Sequence, residues 1–320
     1  MKSNVTKVVV IGAGAVGATT AFSLIVKGVA ADVVLIDVNR EKAQGEVWDL
    51  QHSMDFQSRN VRVVCGDYQE CRDADIVVIT AAAPMAGETD RLRMLKKTEG
   101  IIRSIVPAVL QNGFDGIFVV VSNPVDVMAH LVKELSGFPK NRVIGTGTIL
   151  ETARLKGMIG QIVGMDLRSI DAYVMGEHGD SMVVPWSHVR AGGKPFSEIL
   201  SDNRHRFSSV DLETLMENTK KAGFHVLMAK GNTSFGIASA VTGIVTAILR
   251  DENRLYAVSA YLEGEYGIHG IYCGVPAILN RTGIQEIGEF NLVAEEQECL
   301  LASAGVIRAA IARLGEAGPA

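Results

Sequence analysis

The chain has 320 residues, of which 48% are hydrophobic and 21% charged, and its formal net charge is −5 at pH 7. This length suits two domains and allows an ample core. The negative charge offers no electrostatic footprint for nucleic acid or for an anionic membrane, so the expected partners are small molecules and further copies of the chain. The four cysteines lack metal-ligand spacing, which indicates ordinary thiols in a reducing cytoplasm and no metal site.

Two stretches without charge, 8–26 and 231–249, are long enough to span a bilayer. Both are interrupted by Gly, Ser and Thr. The N-terminus lacks the basic, apolar and small-residue pattern of a secretory signal. We therefore expect both stretches to be buried parts of a soluble, cytoplasmic protein.

A glycine-rich turn follows the first predicted strand. Lys7 to Ile11 is a short apolar run rich in β-branched residues, which indicates a strand buried on both faces. The next residues are Gly12-Ala13-Gly14-Ala15-Val16-Gly17. In a dinucleotide-binding turn the first glycine permits the bend, the second lets the backbone approach a pyrophosphate, and the third allows close packing of helix and strand. We predict that Gly12, Gly14, Val16 and Gly17 contact a dinucleotide.

Asp37 ends the next predicted strand, Val33 to Ile36, and lies twenty residues beyond Gly17. An acidic side chain at this spacing accepts hydrogen bonds from the adenosine ribose hydroxyls and repels a 2′-phosphate. The pattern predicts NAD as the cofactor in preference to NADP. Because a chain with 33 glycines produces near matches by chance, the strand, helix and acid around the glycines carry the prediction.

The first half of the chain alternates short apolar runs with helix-length segments. Further runs lie at 61–64, 76–79, 117–121 and 143–144. This alternation is typical of a doubly wound parallel α/β sheet of the Rossmann type. The pattern changes near Gly145, so we predict a NAD-binding domain over 1–145 and an α+β substrate domain over 146–320.

The second half predicts longer helices mixed with antiparallel strands. Strands are expected at 172–175 and 182–189. A helix is expected within 294–314, because apolar residues recur there near helical spacing and predict one buried face. The residues of this predicted face are Leu300, Leu301, Ala304, Ile307, Ile311 and Leu314.

One histidine differs from the others in its neighbours. His178 lies in the segment Gly176-Glu177-His178-Gly179-Asp180-Ser181. An imidazole among small residues can exchange a proton with a substrate while hydride moves to or from a dinucleotide. The other six histidines have no comparable setting, and a structural role is expected for them: His52, His130, His188, His205, His225 and His269.

Six motifs in order make this sequence resemble the L-lactate and malate dehydrogenases, a family that includes L-2-hydroxyisocaproate dehydrogenases. They are the glycine turn with Asp37, Gly87-Glu88-Thr89-Asp90-Arg91, Ser122-Asn123-Pro124-Val125-Asp126, the segment 145–154, the His178 segment, and Lys230-Gly231-Asn232-Thr233. The resemblance covers almost the whole chain. It implies the family's two-domain fold, NAD, a cytoplasmic location, a small 2-oxo or 2-hydroxy acid as substrate, and a homotetramer or homodimer.

The resemblance also implies roles for single residues. His178 matches the acid/base catalyst, which gives its proton to the ketone oxygen as hydride arrives. Arg154 matches the arginine that grips the substrate carboxylate through two parallel hydrogen bonds. Arg91 matches the loop arginine that polarises the carbonyl after the loop closes. A gapless count from 81–84 selects Arg91, and Arg93 is the alternative.

Two further positions follow from the same resemblance. Asn123 is expected to bond the substrate oxygen or to hold the nicotinamide end of the cofactor. The peptide between Asn123 and Pro124 is expected to be cis. Thr233 is expected to line the substrate pocket.

The sequence departs from the family pattern at Glu151, three residues before Arg154, where the family normally carries an aspartate. A carboxylate there holds the imidazole in one tautomer and stabilises its protonated form. A glutamate keeps the charge and adds a methylene. Our hypothesis is that Glu151 still pairs with His178 through a bent rotamer.

A second departure concerns regulation. Many bacterial lactate dehydrogenases are activated by fructose 1,6-bisphosphate through an arginine and a histidine whose positions here hold Lys156 and Asp171. An aspartate facing the phosphate would repel it. We predict no activation by this sugar phosphate.

Met85 bears on the substrate. The gapless count places it where malate dehydrogenases carry an arginine and lactate dehydrogenases a glutamine. Methionine offers no cation for a second carboxylate but adapts to an aliphatic or aromatic tail, and Ala86 and Gly87 leave room beside it. We therefore predict a lactate-type enzyme that accepts larger 2-oxo acids. In the competing interpretation, Met85 only fills the loop of an ordinary lactate enzyme.

Two alternatives to that function remain open. Malate dehydrogenase activity would need a nearby cation, and Arg93 is the candidate. A non-catalytic NAD-binding protein would keep the fold and lose the chemistry. Such a protein would be expected to have lost some of the reacting groups. All of them are present here: His178, Arg154, Arg91 and Asn123.

Overall fold

The computed structural model describes residues 5–83 and 91–315, the side chains of Arg91 and Leu92 excepted. Six parallel strands form the sheet predicted for the first half of the chain. They are β1 (Lys7–Ile11), β2 (Asp32–Ile36), β3 (Arg62–Cys65), β4 (Ile76–Ile79), β5 (Ile117–Val120) and β6 (Val143–Gly145). Their order in the sheet is β3-β2-β1-β4-β5-β6. The predicted doubly wound parallel sheet is confirmed.

The helices of this half are α1 (Ala15–Val26), α2 (Arg40–His52), α3 (Arg91–Gln111) and α4 (Val125–Ser136). Alternate residues of β1 enter two different clusters, since Val8 and Val10 pack on one face of the sheet and Val9 and Ile11 on the other. A strand covered on both faces needs apolar side chains throughout. This explains the continuous apolar run that predicted it.

The second half extends the same sheet. After α5 (Ile149–Val163) come β7 (Ile170–Asp171), β8 (Arg190–Ala191), β9 (Lys194–Pro195), α6 (Phe196–Asp202), α7 (Leu212–Lys230), α8 (Phe235–Leu249), β10 (Arg254–Glu263), β11 (His269–Asn280), β12 (Gly283–Ile287) and α9 (Ala294–Ile311). Strand β10 pairs with β6 through Ser259 and Gly145, antiparallel, and β11 and β12 follow it outward. The sheet therefore continues across the predicted domain boundary after residue 145.

The prediction of strands at 172–175 and 182–189 is wrong. The two segments meet only at an antiparallel bridge between Met175 and Val183, and the short strands β7 and β8 lie just outside them. Other partners take the backbone groups of the first segment: the Val174 N–H donates to the Thr152 hydroxyl at 2.9 Å, and the Val174 carbonyl accepts from the Thr148 hydroxyl. Tertiary contacts thus replace the ladder that the apolar pattern suggested.

Helix α9 has the predicted buried face with one exception. Leu300, Ala304 and Ile307 are buried, and Ile311 and Leu314 are partly buried against the core. Leu301 is 43% exposed, because it lies about 100° around the helix from Leu300.

The two uncharged stretches do not form single long elements. Residues 8–26 comprise most of β1, the glycine turn and α1, and residues 231–249 comprise a loop and α8. Within 5–83 and 91–315, no helix has the length and apolar character needed to cross a membrane.

Candidate active site

A crevice for a dinucleotide lies at the carboxyl ends of the parallel strands. Chain connections leave the sheet in opposite directions from the neighbouring strands β1 and β4, which makes this the switch point of the strand order. Gly12 follows β1, Asp37 follows β2 and Thr80 follows β4. The Thr80 hydroxyl donates to the Gly12 carbonyl at 3.0 Å and ties the turn to the neighbouring strand.

The turn needs glycine at two positions for steric reasons. Gly12 has a φ of +108°, which disfavours other residues. A Cβ on Gly17 would lie 1.8 Å from the Gly12 carbonyl oxygen, so a side chain there would push helix and strand apart. A Cβ on Gly14 would meet nothing within 4 Å. Open space above Gly14, beside the N-terminus of α1, fits the approach of a pyrophosphate.

Asp37 also holds the turn together. One of its carboxylate oxygens accepts from the Ala13 N–H at 2.6 Å, and the other accepts from the Asn39 N–H at 2.8 Å. Each oxygen keeps a second lone pair, so these bonds leave acceptor capacity for ribose hydroxyls. The residues present therefore fit the adenosine half of NAD.

His178, Glu151 and Arg154 form an ion-paired group. His178 Nδ1 lies 3.1 Å from Glu151 Oε2, and Arg154 Nη1 donates to Glu151 Oε1 at 2.8 Å. Glu151 and Arg154 are three residues apart in α5 and so share one face of the helix. The pairing expected of Glu151 is present, and the same carboxylate also holds Arg154.

Burial and charge act in opposite directions on this group. Burial by itself lowers the pKa of His178, but Glu151, with a smaller contribution from the charge of Asp126, outweighs that effect and raises the pKa to about 9. Burial likewise opposes ionisation of Glu151, yet the charges of His178 and Arg154 hold the pKa of Glu151 below its usual range. The Glu151 side chain is only 2% exposed, and that of His178 is 29% exposed. A buried carboxylate thus supports a protonated imidazole that remains accessible.

Sequence reasoning missed a second buried carboxylate in this group. Asp126 is 2% exposed, and its Oδ2 accepts from the His178 backbone N–H at 2.9 Å. Its Oδ1 accepts from the Ser259 hydroxyl of β10. Asp126 stood in a motif used only for the resemblance, and its partners are distant in sequence. Its place at the end of that motif was the signal in the sequence that could have pointed to it.

Gly223 of α7 was also missed. A Cβ there would lie 3.0 Å from Arg154 Nη2 and 3.2 Å from Nη1. The helix therefore approaches the guanidinium closely because position 223 carries no side chain. Thr233 is half-buried in the loop after α7, ten residues beyond Gly223 in sequence.

Asn123 follows β5 and is exposed, and the Asn123–Pro124 peptide is cis as predicted. It stands at the same edge of the sheet as Gly12 and Asp37. Two predicted site residues cannot be placed: Met85 and the side chain of Arg91 lie outside the described residues. The backbone of Arg91 begins α3.

A turn that fits a dinucleotide, together with an accessible histidine held protonated by a buried carboxylate, defines the class: a dinucleotide-dependent dehydrogenase. Comparison with known proteins gives the family. The model of the lactate/malate dehydrogenase NAD-binding domain matches residues 6–145, and that of the alpha/beta C-terminal domain matches residues 148–317. The chain belongs to the lactate/malate dehydrogenase family, and its cofactor is NAD.

Relatives match along nearly the whole chain. L-lactate dehydrogenase 3 of Bacillus anthracis is 44% identical over 96% of this chain and 98% of its own length. L-lactate dehydrogenase 1 of Bifidobacterium longum is 47% identical over 95% of this chain and 96% of its own length. The crystal structure of the minor L-lactate dehydrogenase from Enterococcus mundtii, in its ligands-bound form, superposes with a TM-score of 0.94 at 42% identity, covering 98% of this chain and 99% of that one.

Proposed function

We propose that the protein catalyses the reversible reduction of a 2-oxo acid to an L-2-hydroxy acid, as a lactate-type dehydrogenase tolerant of larger apolar side chains. The single observation that carries the chemistry is the bridge through Glu151, which joins a proton donor, His178, to a carboxylate-binding group, Arg154. A 2-oxo acid offers a carboxylate and a ketone on adjacent carbons. The ion-paired group supplies one partner for each.

Each residue then has a chemical task. Arg154 binds the substrate carboxylate, and its second amino group remains available because Glu151 accepts from only one. Glu151 occupies His178 Nδ1, so the proton that moves is assigned to Nε2. That proton passes to the ketone oxygen during reduction and returns during oxidation. NADH supplies the hydride when it is bound.

Other residues complete the proposed site. Arg91 polarises the carbonyl, Asn123 holds the substrate oxygen or the nicotinamide end, and Thr233 lines the pocket. The glycine turn, with Val16, and Asp37 hold the pyrophosphate and ribose of NAD. The proposed cofactor domain covers 1–145 and the substrate domain 146–320. Relatives named L-lactate dehydrogenase support this assignment over a protein that only binds NAD.

Two features favour larger substrates. Met85 stands in the sequence where a glutamine or arginine would make the pocket polar, and methionine adapts to apolar tails. The next two residues, Ala86 and Gly87, are small where lactate enzymes usually carry larger residues, which leaves room for a bigger substrate tail. Malate-type activity is the second candidate in sequence terms, but without a cation at 85 a second carboxylate would be buried unpaired, at high cost.

The test is kcat/KM for pyruvate, 2-oxo-4-methylpentanoate, phenylpyruvate and oxaloacetate with NADH. Each buried methylene contributes about 0.8 kcal/mol, so three of them change relative kcat/KM more than about tenfold where the pocket fits. We expect Met85→Gln to shift preference toward pyruvate and Met85→Arg to create activity with oxaloacetate. Oxaloacetate as the best parent substrate would overturn the proposal, and a pyruvate preference against every longer acid would reduce Met85 to loop filling.

A further inference from the structure

Asp126 is a buried acidic group to which the proposed reaction assigns no task. It is the second residue of α4, directly after Val125, and its carboxylate reaches out of the helix to two other parts of the chain. One oxygen accepts from the His178 backbone N–H and the other from the Ser259 hydroxyl. A single side chain thereby joins α4, the histidine segment and β10.

Stability does not explain the charge on this side chain. Burial raises the pKa of the Asp126 carboxyl to about 6, although the Ser259 hydroxyl and the His178 N–H oppose that rise. Because this pKa lies above its value in an unfolded chain, the stability linked to the group is full at low pH and is lost as pH rises through about 6. At neutral pH the protein therefore holds an ionised group whose burial is unfavourable. An asparagine would make similar hydrogen bonds without that cost.

The charge balance around His178 suggests what the carboxylate does. Arg154 and Glu151 of α5 face the imidazole, Glu177 precedes it, and Asp126 bonds its main chain. The neighbouring Cys273 of β11 is not a charged group at neutral pH, since burial raises the pKa of its thiol. Glu151 and Asp126 together carry two negative charges against one positive charge on Arg154. Protonation of His178 brings these four groups to neutrality. Glu177 is left out of this sum because its carboxylate is bound to the Ser181 hydroxyl, at 2.6 Å.

We propose that Asp126 is a positioning residue for His178, which fixes the main chain that carries the imidazole and whose negative charge favours the protonated ring. It touches neither substrate nor cofactor and acts only through the histidine. The inference rests on the proposed role of His178 in proton transfer. A purely structural role would give the same hydrogen bonds but would leave the protonation of His178 unaffected.

Two variants separate charge from hydrogen bonding. Asp126→Asn keeps an acceptor for the His178 N–H and a partner for Ser259 but removes the charge. Ser259→Ala removes a hydrogen bond and keeps the charge. We expect the alkaline midpoint of kcat/KM for pyruvate reduction to fall by about one pH unit in Asp126→Asn, with KM little changed at low pH, and to stay in place in Ser259→Ala. An unshifted midpoint in a folded Asp126→Asn protein that binds NADH would overturn the proposal.

A titration without turnover gives the second readout. The parent protein is labelled with ¹⁵N-histidine, and the His178 signal is assigned by its loss in His178→Asn. We expect the ¹⁵N chemical shift of the His178 ring to show a small inflection near pH 6, where Asp126 titrates, besides the main transition of the ring itself. In Ser259→Ala this inflection moves to higher pH, because the hydroxyl no longer stabilises the carboxylate. Its absence from both proteins would overturn the proposal even if Asp126→Asn fails to fold. A parent inactive with every 2-oxo acid would refute the proposed function and leave this titration to decide separately.

Discussion

Glu151 controls the protonation of His178 through a contact of 3.1 Å. Burial lowers the pKa of His178, but Glu151, aided by Asp126, raises it to about 9. The ring is therefore protonated at neutral pH, as the proposed proton donor to a ketone must be. In Glu151→Gln the ring should be largely neutral at pH 8. We expect kcat for reduction there to fall by roughly 10²-fold or more, the usual contribution of general acid catalysis, and oxidation to suffer less.

The measurement is the pH profile of both directions between pH 5 and 10. Glu134→Gln is the matched control, because Glu134 pairs with His130 of the same helix at 3.2 Å and is not part of the proposed site. Reduction in the parent should decline as pH rises through about 9, where the imidazole loses its proton. Unchanged turnover and an unchanged profile in Glu151→Gln would mean that the pair has no part in proton transfer.

Residues that interact within one motif, or between motifs of known spacing, were predictable, and those joined only by the fold were not. Glu151 and Arg154 lie on consecutive turns of a helix, and the pairing of Glu151 with His178 was expected from the resemblance. The bond between Asp126 and Ser259 spans 133 residues of sequence and depends on the pairing of β10 with β6. The sequence around either residue does not predict this hydrogen bond.

The same limit applies to whole elements. The six parallel strands were predictable because burial on both faces leaves a continuous apolar run. The segment 172–189 is also apolar, but Met182, Val184 and Val189 pack into the core beside α5 without forming a strand. Apolar residues report burial, and only partners elsewhere in the chain decide whether the buried backbone joins a sheet.

Helix α7 approaches α5 closely at Gly223, which yields a prediction at the scale of elements. A glycine within a helix costs about 1 kcal/mol relative to alanine, so Gly223→Ala should favour the helix. Its Cβ would however lie 3.0 Å from the Arg154 guanidinium, which Glu151 holds in place. We expect KM to rise severalfold for every 2-oxo acid, because all of them present the same carboxylate to Arg154.

Steady-state kinetics and thermal unfolding of Gly223→Ala test this expectation. The matched control is Gly305→Ala in α9, where a Cβ meets nothing within 4 Å. This control should share any gain in helix stability and leave KM unchanged. If KM for all substrates were the same in Gly223→Ala as in the parent, the contact with Arg154 would have no bearing on binding.

At the scale of the molecule, several large apolar side chains remain exposed on helices. Phe22 and Val26 lie on α1, which packs against α8, and Phe235 begins α8. Phe224 and Met228 are exposed on α7. Exposed apolar surface of this kind favours association, and the resemblance implies a homotetramer or homodimer. We propose that copies of the chain associate through these helices.

That assembly should not respond to fructose 1,6-bisphosphate. Burial lowers the pKa of Lys156, and the carboxylate of Asp171 opposes this change, so the lysine already faces a negative charge. A phosphate brought to Lys156 would be repelled by Asp171. We expect sedimentation to give a multiple of the chain mass, with neither that mass nor the apparent KM for the 2-oxo acid altered by the sugar bisphosphate. Sulfate at equal ionic strength controls for the general screening of charges by salt. A severalfold fall in KM with the bisphosphate but not with sulfate would show that Lys156 binds phosphate despite its acidic neighbour.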